Sequence, residues 1–366
     1  MIKRLNMAPG PTDFSHLVDP NAMGEVFPHF SEAFKTLFDK LGDKLKELLG
    51  TSNPVLFAAT SGTGGIEALL TNMLSVGDKV LILSNGFFGD RLLEMAQTLG
   101  LNALKLDFDW ERPIDPGTAK TLVLSNLGNG VKAVLMVHLE SSTGIINDLS
   151  QIGEALRDTN VAFLVDAVGS VATCPIEIDE WNVDGLACTS YKGLRSPAGV
   201  SIIVTSDKYR VEMNKCDRPN YSLSLKKILE QAKGSMTLST APVSAMLLLD
   251  NQLEALFAYG LEKYYEDCKA QANAMREALS NTGFQVFGSE GLGSSITATL
   301  VPQQLRHVDL AAILEAEFSL YVGPGLGKLH DSTIRFAHYG GIRSAEIEYA
   351  ISCVGKVLKE HGASTS

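Results

Sequence analysis

Cysteine is scarce in this chain and shows no disulfide or metal-binding pattern. The 366 residues include five cysteines, which are Cys174, Cys188, Cys216, Cys268 and Cys353. Their number is odd and no two of them form a CxxC pair, which argues against a disulfide scaffold and against a zinc site. We therefore expect no bound metal and a reducing, cytoplasmic location.

Long apolar runs and an excess of basic residues are also missing. Runs such as Ala245–Leu249 are far too short to span a bilayer, and the N-terminus MIKRLNMAPGP lacks the apolar core of a signal peptide. Lys and Arg total 31 against 42 Asp and Glu, and the formal charge of -11 repels phosphate backbones. With 45% hydrophobic residues, the composition predicts a two-domain globular protein without a membrane or nucleic-acid partner.

Apolar strands alternate with helical segments, such as Asp90–Leu99, over residues 50 to 205. The predicted strands are Val55–Ala58, Lys79–Leu83, Thr121–Leu124, Ala133–His138, Ala162–Asp166, Gly185–Thr189 and Gly199–Val204. This alternation predicts an α/β fold with an open, mostly parallel sheet and helices on both faces.

The rest of the chain has a different pattern. A long helical region, Ser244–Glu277, is expected to break near Tyr259 and Gly260. Shorter elements follow, which are the strands Gln285–Phe287, Ser295–Leu300 and Thr333–Ala337 and the helices Leu310–Glu317 and Ser344–Glu360. We expect a large α/β domain at residues 15–255 and a smaller α+β domain at 256–366 that includes the N-terminal segment 1–14.

Small and polar residues follow the first strand, at the sheet edge where α/β proteins bind ligands. The segment SGTGG at 61–65 combines the hydroxyls of Ser61 and Thr63 with glycines and the start of a helix. Backbone N–H groups and a helix dipole at this point suit a phosphate group. A tight strand–helix turn without a ligand explains the same residues.

Four more side chains follow strand ends, and each has two explanations. Phe88 in NGFFG can stack on a ring or join the core, and Ser141 in HLESSTG can bind a ligand or end a strand. Asp166 can hold a cationic ring nitrogen or cap a helix. Lys192 lies among small and apolar residues, where desolvation would lower its pKa and make the amine nucleophilic, although most lone lysines are solvated.

Taken together, these positions describe one ligand. It carries a phosphate for residues 61–65, a flat ring for Phe88, a ring N–H⁺ for Asp166 and an aldehyde for Lys192. Pyridoxal 5′-phosphate (PLP) has these groups, and a lysine imine and an aspartate on the ring nitrogen are its usual protein partners.

In its ordered series of motifs, the chain resembles the class-V (fold-type I) PLP-dependent aminotransferases. The resemblance is to the serine–pyruvate/alanine–glyoxylate branch and to its 2-aminoethylphosphonate–pyruvate relatives, and it covers nearly the whole chain. The motifs are APGP at 8–11, SGTGG at 61–65, NGFFG at 85–89, HLESSTG at 138–144, VDAVGS at 165–170, SYKGLRSPAG at 190–199 and TIRF at 333–336.

The resemblance implies a role for each of these positions. Lys192 would form the Schiff base and move a proton at the substrate Cα, while Asp166 would stay ionised with a depressed pKa beside the ring nitrogen. The other implied cofactor contacts are Ser61, Gly62, Thr63 and Tyr191 for the phosphate, Phe88 and Val168 for the two ring faces, and Ser141 for the ring hydroxyl.

The resemblance also implies a substrate site and a partner subunit. Arg335 would grip the substrate carboxylate, with Pro9 and Gly10 beside it, because a planar guanidinium suits bidentate carboxylate binding. Arg335 would also face away from its neighbours Ile334 and Phe336. Thr240, in a loop that crosses a dimer interface in the family, would reach the phosphate bound by a second copy, so a homodimer is implied.

The predicted activity is transfer of an amino group from a small amino acid, such as serine or alanine, to a 2-oxo acid such as pyruvate or glyoxylate. Two segments that should border the substrate, 25–30 and 336–341, depart from the family pattern, so an aminophosphonate or a phosphorylated amino acid is an alternative substrate. A PLP lyase or desulfurase ranks lower because no cysteine lies in a recognisable catalytic loop. An NAD oxidoreductase leaves Lys192 unexplained and would need a GxGxxG turn that residues 61–65 lack. A non-enzymatic binding module on the same scaffold is a further alternative.

Overall fold

The structure is a computed structural model that describes residues 4–12, 26–288, 290–306, 308–339 and 342–361. The strands in these ranges are β1 (Leu5–Met7), β2 (Val55–Ala58), β3 (Lys79–Ser84), β4 (Asn102–Asp107), β5 (Val131–Val137), β6 (Leu139–Glu140), β7 (Ile145–Ile146), β8 (Ala162–Asp166), β9 (Gly185–Thr189), β10 (Ser201–Thr205), β11 (Gln285–Val286), β12 (Ile296–Leu300), β13 (Leu320–Pro324) and β14 (Thr333–Ala337). The helices are α1 (Glu32–Leu48), α2 (Gly62–Met73), α3 (Phe87–Thr98), α4 (Pro116–Leu127), α5 (Ser150–Leu156), α6 (Asp207–Met213), α7 (Leu225–Ala232), α8 (Val243–Tyr259), α9 (Leu261–Asn281), α10 (Leu310–Phe318) and α11 (Ser344–His361).

A seven-stranded sheet forms the larger part of the molecule, in the order β2-β10-β9-β8-β5-β3-β4. Its strands are parallel except for β10, which runs antiparallel to β2 and β9. Successive residues of β8 enter different cores, because Phe163 packs with α1 on one face and Leu164 packs with α2 on the other. The predicted α/β fold with a mostly parallel sheet and helices on both faces is confirmed.

A five-stranded sheet in the order β1-β13-β14-β12-β11 forms the smaller part. Here β1 and β13 are parallel and the other neighbours are antiparallel. Residues of this sheet share one core with α9, α10 and α11, as the contacts of Phe336, Met275 and Val354 illustrate. The pairing of β1 with β13 agrees with assigning the N-terminal segment to the small α+β domain, while the boundary near 255 stays a prediction.

One predicted strand is wrong. Residues Thr121–Leu124 lie inside helix α4 and not in a strand. The helix begins just before them, because the Asp115 carboxylate accepts a hydrogen bond of 2.7 Å from the Thr118 N–H and Pro116 stands at the first helical position. The helix-capping residues Asp115 and Pro116 thus determine the secondary structure here, and not the strand propensity of four residues.

The predicted break in the long helical region is confirmed. Helix α8 ends at Tyr259 and α9 begins at Leu261, and Gly260 between them has a φ of 94°. Glycine adopts this left-handed backbone at little cost, whereas other residues are strained there. The break turns α9 toward the small sheet, where its buried face packs.

Candidate active site

A cavity of about 410 Å³ lies at the carboxyl ends of the parallel strands, between the two sheets. Its walls come from the N-terminal segment, the starts of α2 and α3, the ends of β5 and β8, the turn after β9, and β13 and β14. It gathers most of the predicted site residues, which are Pro9, Gly10, Gly62, Thr63, Phe88, Ser141, Asp166, Val168, Tyr191, Lys192 and Arg335.

Lys192 is a buried lysine, with 9% of its surface exposed. Its backbone carbonyl accepts hydrogen bonds from the Arg195 N–H at 2.8 Å and from the Thr12 hydroxyl at 3.1 Å, which fixes the turn after β9. Burial lowers the pKa of the amine to about 8, and nearby Asp166 partly opposes this shift. The expected desolvation and lowered pKa are therefore present.

Asp166 ends β8 and faces the same cavity. Its Oδ1 atom accepts a hydrogen bond of 2.9 Å from the Val168 N–H. Burial raises the pKa of this carboxyl, although the Val168 N–H, Lys192 and Arg91 each act to lower it. In the chain's own groups, desolvation of this carboxyl outweighs the two cations, so a depressed pKa beside a bound ring nitrogen stays a prediction. The structure also places Asp166 beside Lys192 and not at a helix cap.

The start of α2 forms one end of the cavity. Ser61 is the exposed N-cap, and its hydroxyl accepts from the Gly64 N–H at 3.4 Å. The Gly62 N–H donates a hydrogen bond of 3.4 Å to the Tyr191 hydroxyl. The Thr63 Oγ1 atom accepts a hydrogen bond of 2.8 Å from the guanidinium of Arg91. A Cβ at Gly62 would lie 2.5 Å from Val168 Cγ2, so only glycine allows this close approach. Ser61 is outside the cavity wall, in contrast to Gly62 and Thr63.

Phe88 forms a flat apolar wall near Lys192, whose Nζ atom lies 5.9 Å from the centre of the ring. The position of this ring depends on Glu140, a buried carboxylate that sequence reasoning did not single out. Glu140 accepts hydrogen bonds from the Phe88 and Gly89 N–H groups, at 3.1 Å each, and from the Ser142 hydroxyl at 2.6 Å. The buried carboxylate of Glu140 thereby fixes the first turn of α3.

Arg335 reaches the cavity from β14, while Ile334 and Phe336 enter the small core as expected. It is 5% exposed, and it donates from Nε to the Pro324 carbonyl at 2.8 Å and from Nη1 to the Ser141 carbonyl at 2.9 Å. Burial lowers its pKa to about 10, while Tyr339 and Glu140 act in the opposite direction. Its remaining N–H donors are available to an anion in the cavity.

The segments that depart from the family pattern lie mostly outside the cavity. His338 bonds the Thr297 hydroxyl at 2.9 Å, and the Tyr339 hydroxyl donates to the Pro9 carbonyl at 2.9 Å. Residues 26–30 do not line the cavity, and Glu25, Gly340 and Gly341 lie outside the described residues. Through Tyr339, the divergent segment supports the wall formed by Pro9.

Thr240, the residue expected to reach a second copy, is exposed and does not line the cavity of its own chain. A second cavity of about 300 Å³, near Leu194, Tyr259 and Gln271, contains none of the predicted site residues. In the described ranges, no group of three or more His, Cys, Asp or Glu side chains is arranged to hold a metal ion, and no helix is both long and apolar enough to cross a membrane.

Comparisons with known proteins indicate the family of this chain. The family model "Aminotransferase class-V" matches residues 18–335. A protein of Synechococcus sp. (strain PCC 6716) named "Soluble hydrogenase, small subunit" is 30% identical over 98% of this chain and 94% of its own length. The serine–glyoxylate aminotransferase of Methylorubrum extorquens is 28% identical over 97% of this chain and 90% of its own length.

A solved structure extends the agreement to three dimensions. The ureidoglycine–glyoxylate aminotransferase of Bacillus subtilis has a TM-score of 0.91 and 26% identity, with 99% of this chain and 95% of that chain covered. The predicted fold, the PLP-dependent transaminase class and the cofactor are thereby confirmed. Because the family model spans most of its length, this chain belongs to the class-V aminotransferases, which are PLP-dependent enzymes.

Proposed function

We propose that this enzyme moves an amino group from a small amino acid, such as serine or alanine, to a 2-oxo acid such as glyoxylate or pyruvate. The observation that carries the proposal is a buried lysine of lowered pKa that shares one cavity with a carboxylate and with Arg335, which forms no ion pair with any described residue. The names of relatives, among them serine–glyoxylate and L-aspartate–glyoxylate aminotransferases, support the substrate class. Two relatives carry the word hydrogenase in their names, but the three side chains favour amino-group transfer.

The side chains of the cavity fit PLP. The Gly62 N–H and the Thr63 hydroxyl suit the phosphate, Phe88 and Val168 suit the two faces of the ring, and Asp166 suits a protonated ring nitrogen. PLP, when bound, supplies the electron sink that acidifies the Cα–H of an amino acid. The residues of this chain orient the reactants and move the proton.

Lys192 is suited to the proton transfer because its amine is neutral more often than that of an ordinary lysine. With a pKa of about 8, about a tenth of such amines are neutral at pH 7, against roughly one in 3,000 at the ordinary value of 10.5. A neutral amine can attack an aldehyde and can accept a proton at the substrate Cα. Burial therefore prepares Lys192 for both tasks.

The lowered pKa predicts a pH dependence for cofactor capture by the PLP-free protein. The initial rate should rise about tenfold per pH unit below pH 8 and level off above it, because attack requires the neutral amine. The measurement is the growth of near-ultraviolet to visible absorbance after PLP is added. Nα-acetyl-lysine in parallel corrects for ionisation of PLP itself, and a protein midpoint equal to that of the free lysine would contradict the burial argument.

Arg335 would bind the substrate carboxylate, so Arg335→Ala should weaken the amino-acid substrate far more than the cofactor. We expect kcat/KM to fall by an amount that corresponds to about 2 to 5 kcal/mol of lost transition-state stabilisation, since a buried charge pair would lose one partner. Arg276→Ala is the matched control, because Arg276 is a half-buried arginine, also of pKa about 10, that donates to a backbone carbonyl outside the cavity. An unaltered KM in Arg335→Ala would remove this residue from the substrate site.

The second candidate is a transaminase for an aminophosphonate or a phosphorylated amino acid. Arg91, a second cation in the cavity, is the observation that keeps it open. A desulfurase is less favoured, because all five cysteines are free thiols but none of them lines the cavity.

We also propose a homodimer. Thr240 is exposed and does not line the cavity of its own chain, as expected of a residue that completes the phosphate site of a second copy. Sedimentation equilibrium of the PLP-bound enzyme should give twice the chain mass of 39.3 kDa, whereas a single-chain mass in the active enzyme would contradict the proposal. A cytoplasmic location stays a prediction.

A half-reaction screen tests the proposed substrate class. Amino acids are added one at a time to the PLP-bound enzyme without an oxo acid, and conversion of the visible band to the pyridoxamine form is followed. Serine or alanine should convert the band, and glyoxylate or pyruvate should restore it. Conversion by aminophosphonates alone would favour the second candidate, and release of sulfide or ammonia without an acceptor would favour a lyase.

A further inference from the structure

Arg91 is a cation in the cavity to which amino transfer between a small amino acid and a 2-oxo acid gives no role. It lies on α3, is half-buried, and lines the cavity together with Lys192, Asp166 and Arg335. Among the residues that the structure describes, no carboxylate is within ion-pair distance of Arg91, and Thr63 is its one hydrogen-bond partner. Other arginines, such as Arg157 and Arg343, pair with glutamates of the adjacent helix. The charge of Arg91 is therefore available to a ligand.

The hydrogen bond between Arg91 and Thr63 places the guanidinium beside the hydroxyl group of Thr63. Nη2 of Arg91 donates to Thr63 Oγ1 at 2.8 Å, so the hydroxyl oxygen is occupied as an acceptor and its own hydrogen remains to be donated. A donor that itself accepts from a cation is polarised and donates more strongly. The guanidinium and the hydroxyl together form a donor pair that suits a doubly charged oxyanion.

The position of the pair separates it from the substrate arginine. Thr63 is the second residue of α2, beside the Gly62 N–H and the Tyr191 hydroxyl, whereas Arg335 belongs to β14 and holds the Ser141 carbonyl. The positive charge of Arg91 lowers the pKa values of both Asp166 and Lys192, as expected of a group that lines the same cavity. An anion bound by Arg91 would lie at the α2 end of the cavity.

We propose that Arg91 binds the phosphate of the cofactor together with Thr63, and that this pair makes the site select PLP over unphosphorylated pyridoxal. The inference rests on the proposed function, since it requires that the cavity hold PLP. It adds to the residues of the α2 turn a charge contributed by α3, thirty residues farther along the chain than Ser61.

Affinities for PLP and for pyridoxal, measured by absorbance or fluorescence titration of the PLP-free protein, test the proposal. Arg91→Gln should raise the PLP dissociation constant about 10- to 100-fold, the range expected for one hydrogen bond to a charged group. The pyridoxal dissociation constant should change less than about twofold, because pyridoxal has no phosphate. Arg157→Gln removes one exposed positive charge at the end of α5 and should change neither constant.

Each other outcome has a definite meaning. Equal weakening of PLP and pyridoxal, or no change in either, would overturn the role of Arg91 in phosphate binding. A rise in the KM of an acidic amino acid alone would overturn it as well, since Arg91 would then serve the substrate. If Arg91→Gln does not fold, Arg91→Lys is the second variant, which keeps the charge. The dissociation constant for pyridoxal divided by that for PLP must still be lower in Arg91→Lys than in the wild type. A wild-type protein that binds neither compound would instead refute the proposed function.

Discussion

Lys192→Ala is expected to abolish amino transfer while leaving the fold intact. The variant loses the amine that attaches the cofactor and moves the proton, and general acid–base catalysis alone contributes about 100- to 10,000-fold. Lys192 forms no ion pair with another residue within the described chain, and its structural bonds are made by the backbone carbonyl. The side chain can therefore be truncated without breaking the turn.

Steady-state rates and circular dichroism measure the two halves of this prediction. Lys132→Ala is the control, since Lys132 is an exposed lysine on β5, outside the cavity. A small amine added to the buffer should restore part of the activity of Lys192→Ala, because it replaces the missing base. Wild-type rates in Lys192→Ala would show that the catalytic amine had been misassigned.

Asp166→Asn is expected to separate function from stability. PLP affinity and the rate of Cα proton removal should both fall strongly, because a neutral amide cannot keep the ring nitrogen protonated. The free energy of unfolding of the PLP-free protein should stay the same or rise. Burial raises the folded-state pKa of this carboxyl, so its ionised form costs stability at neutral pH, and the amide removes that cost.

The pH dependence of that stability difference follows from the direction of the shift. The native carboxyl binds its proton more tightly than the unfolded one, so the wild type loses stability relative to Asp166→Asn as the pH rises through the native pKa. Asp184→Asn is the control for a buried carboxylate outside the cavity, where Asp184 pairs with Lys208 at 2.8 Å. That variant should lose stability and keep its PLP affinity, and a strongly destabilised Asp166→Asn would contradict the account.

The sequence predicted several strands of the large sheet well because their residues are buried on both faces. The bounds of Val55–Ala58, Ala162–Asp166 and Gly185–Thr189 agree with the structure, and each is a short apolar run with few polar letters. Strand β4 was missed since all of its residues are exposed or half-buried, so it contains no continuous apolar run. Strand β13, which contains Gly323 and Pro324, was missed for a different reason, because these residues usually signal a turn.

The predicted site was incomplete where partners are far apart in the chain. Glu140 was seen only as part of a polar turn, and its partners at Phe88 and Gly89 lie about fifty residues earlier. Arg91 looks like a solvated residue on an amphipathic helix, and only the crossing of α2 and α3 at Thr63 reveals its place. The raised pKa of Asp166 in the PLP-free protein could not be predicted either, since sequence shows the charged neighbour but not the extent of burial.

Borohydride reduction of the PLP-bound enzyme, followed by peptide mass spectrometry, tests the central claim most directly. Reduction converts an imine between PLP and a lysine into a stable secondary amine, which survives proteolysis. The account predicts one reduced phosphopyridoxyl group, on the peptide that contains Lys192, together with loss of the visible absorbance. A label on another lysine, or a PLP-bound enzyme that carries no label after reduction, would contradict it.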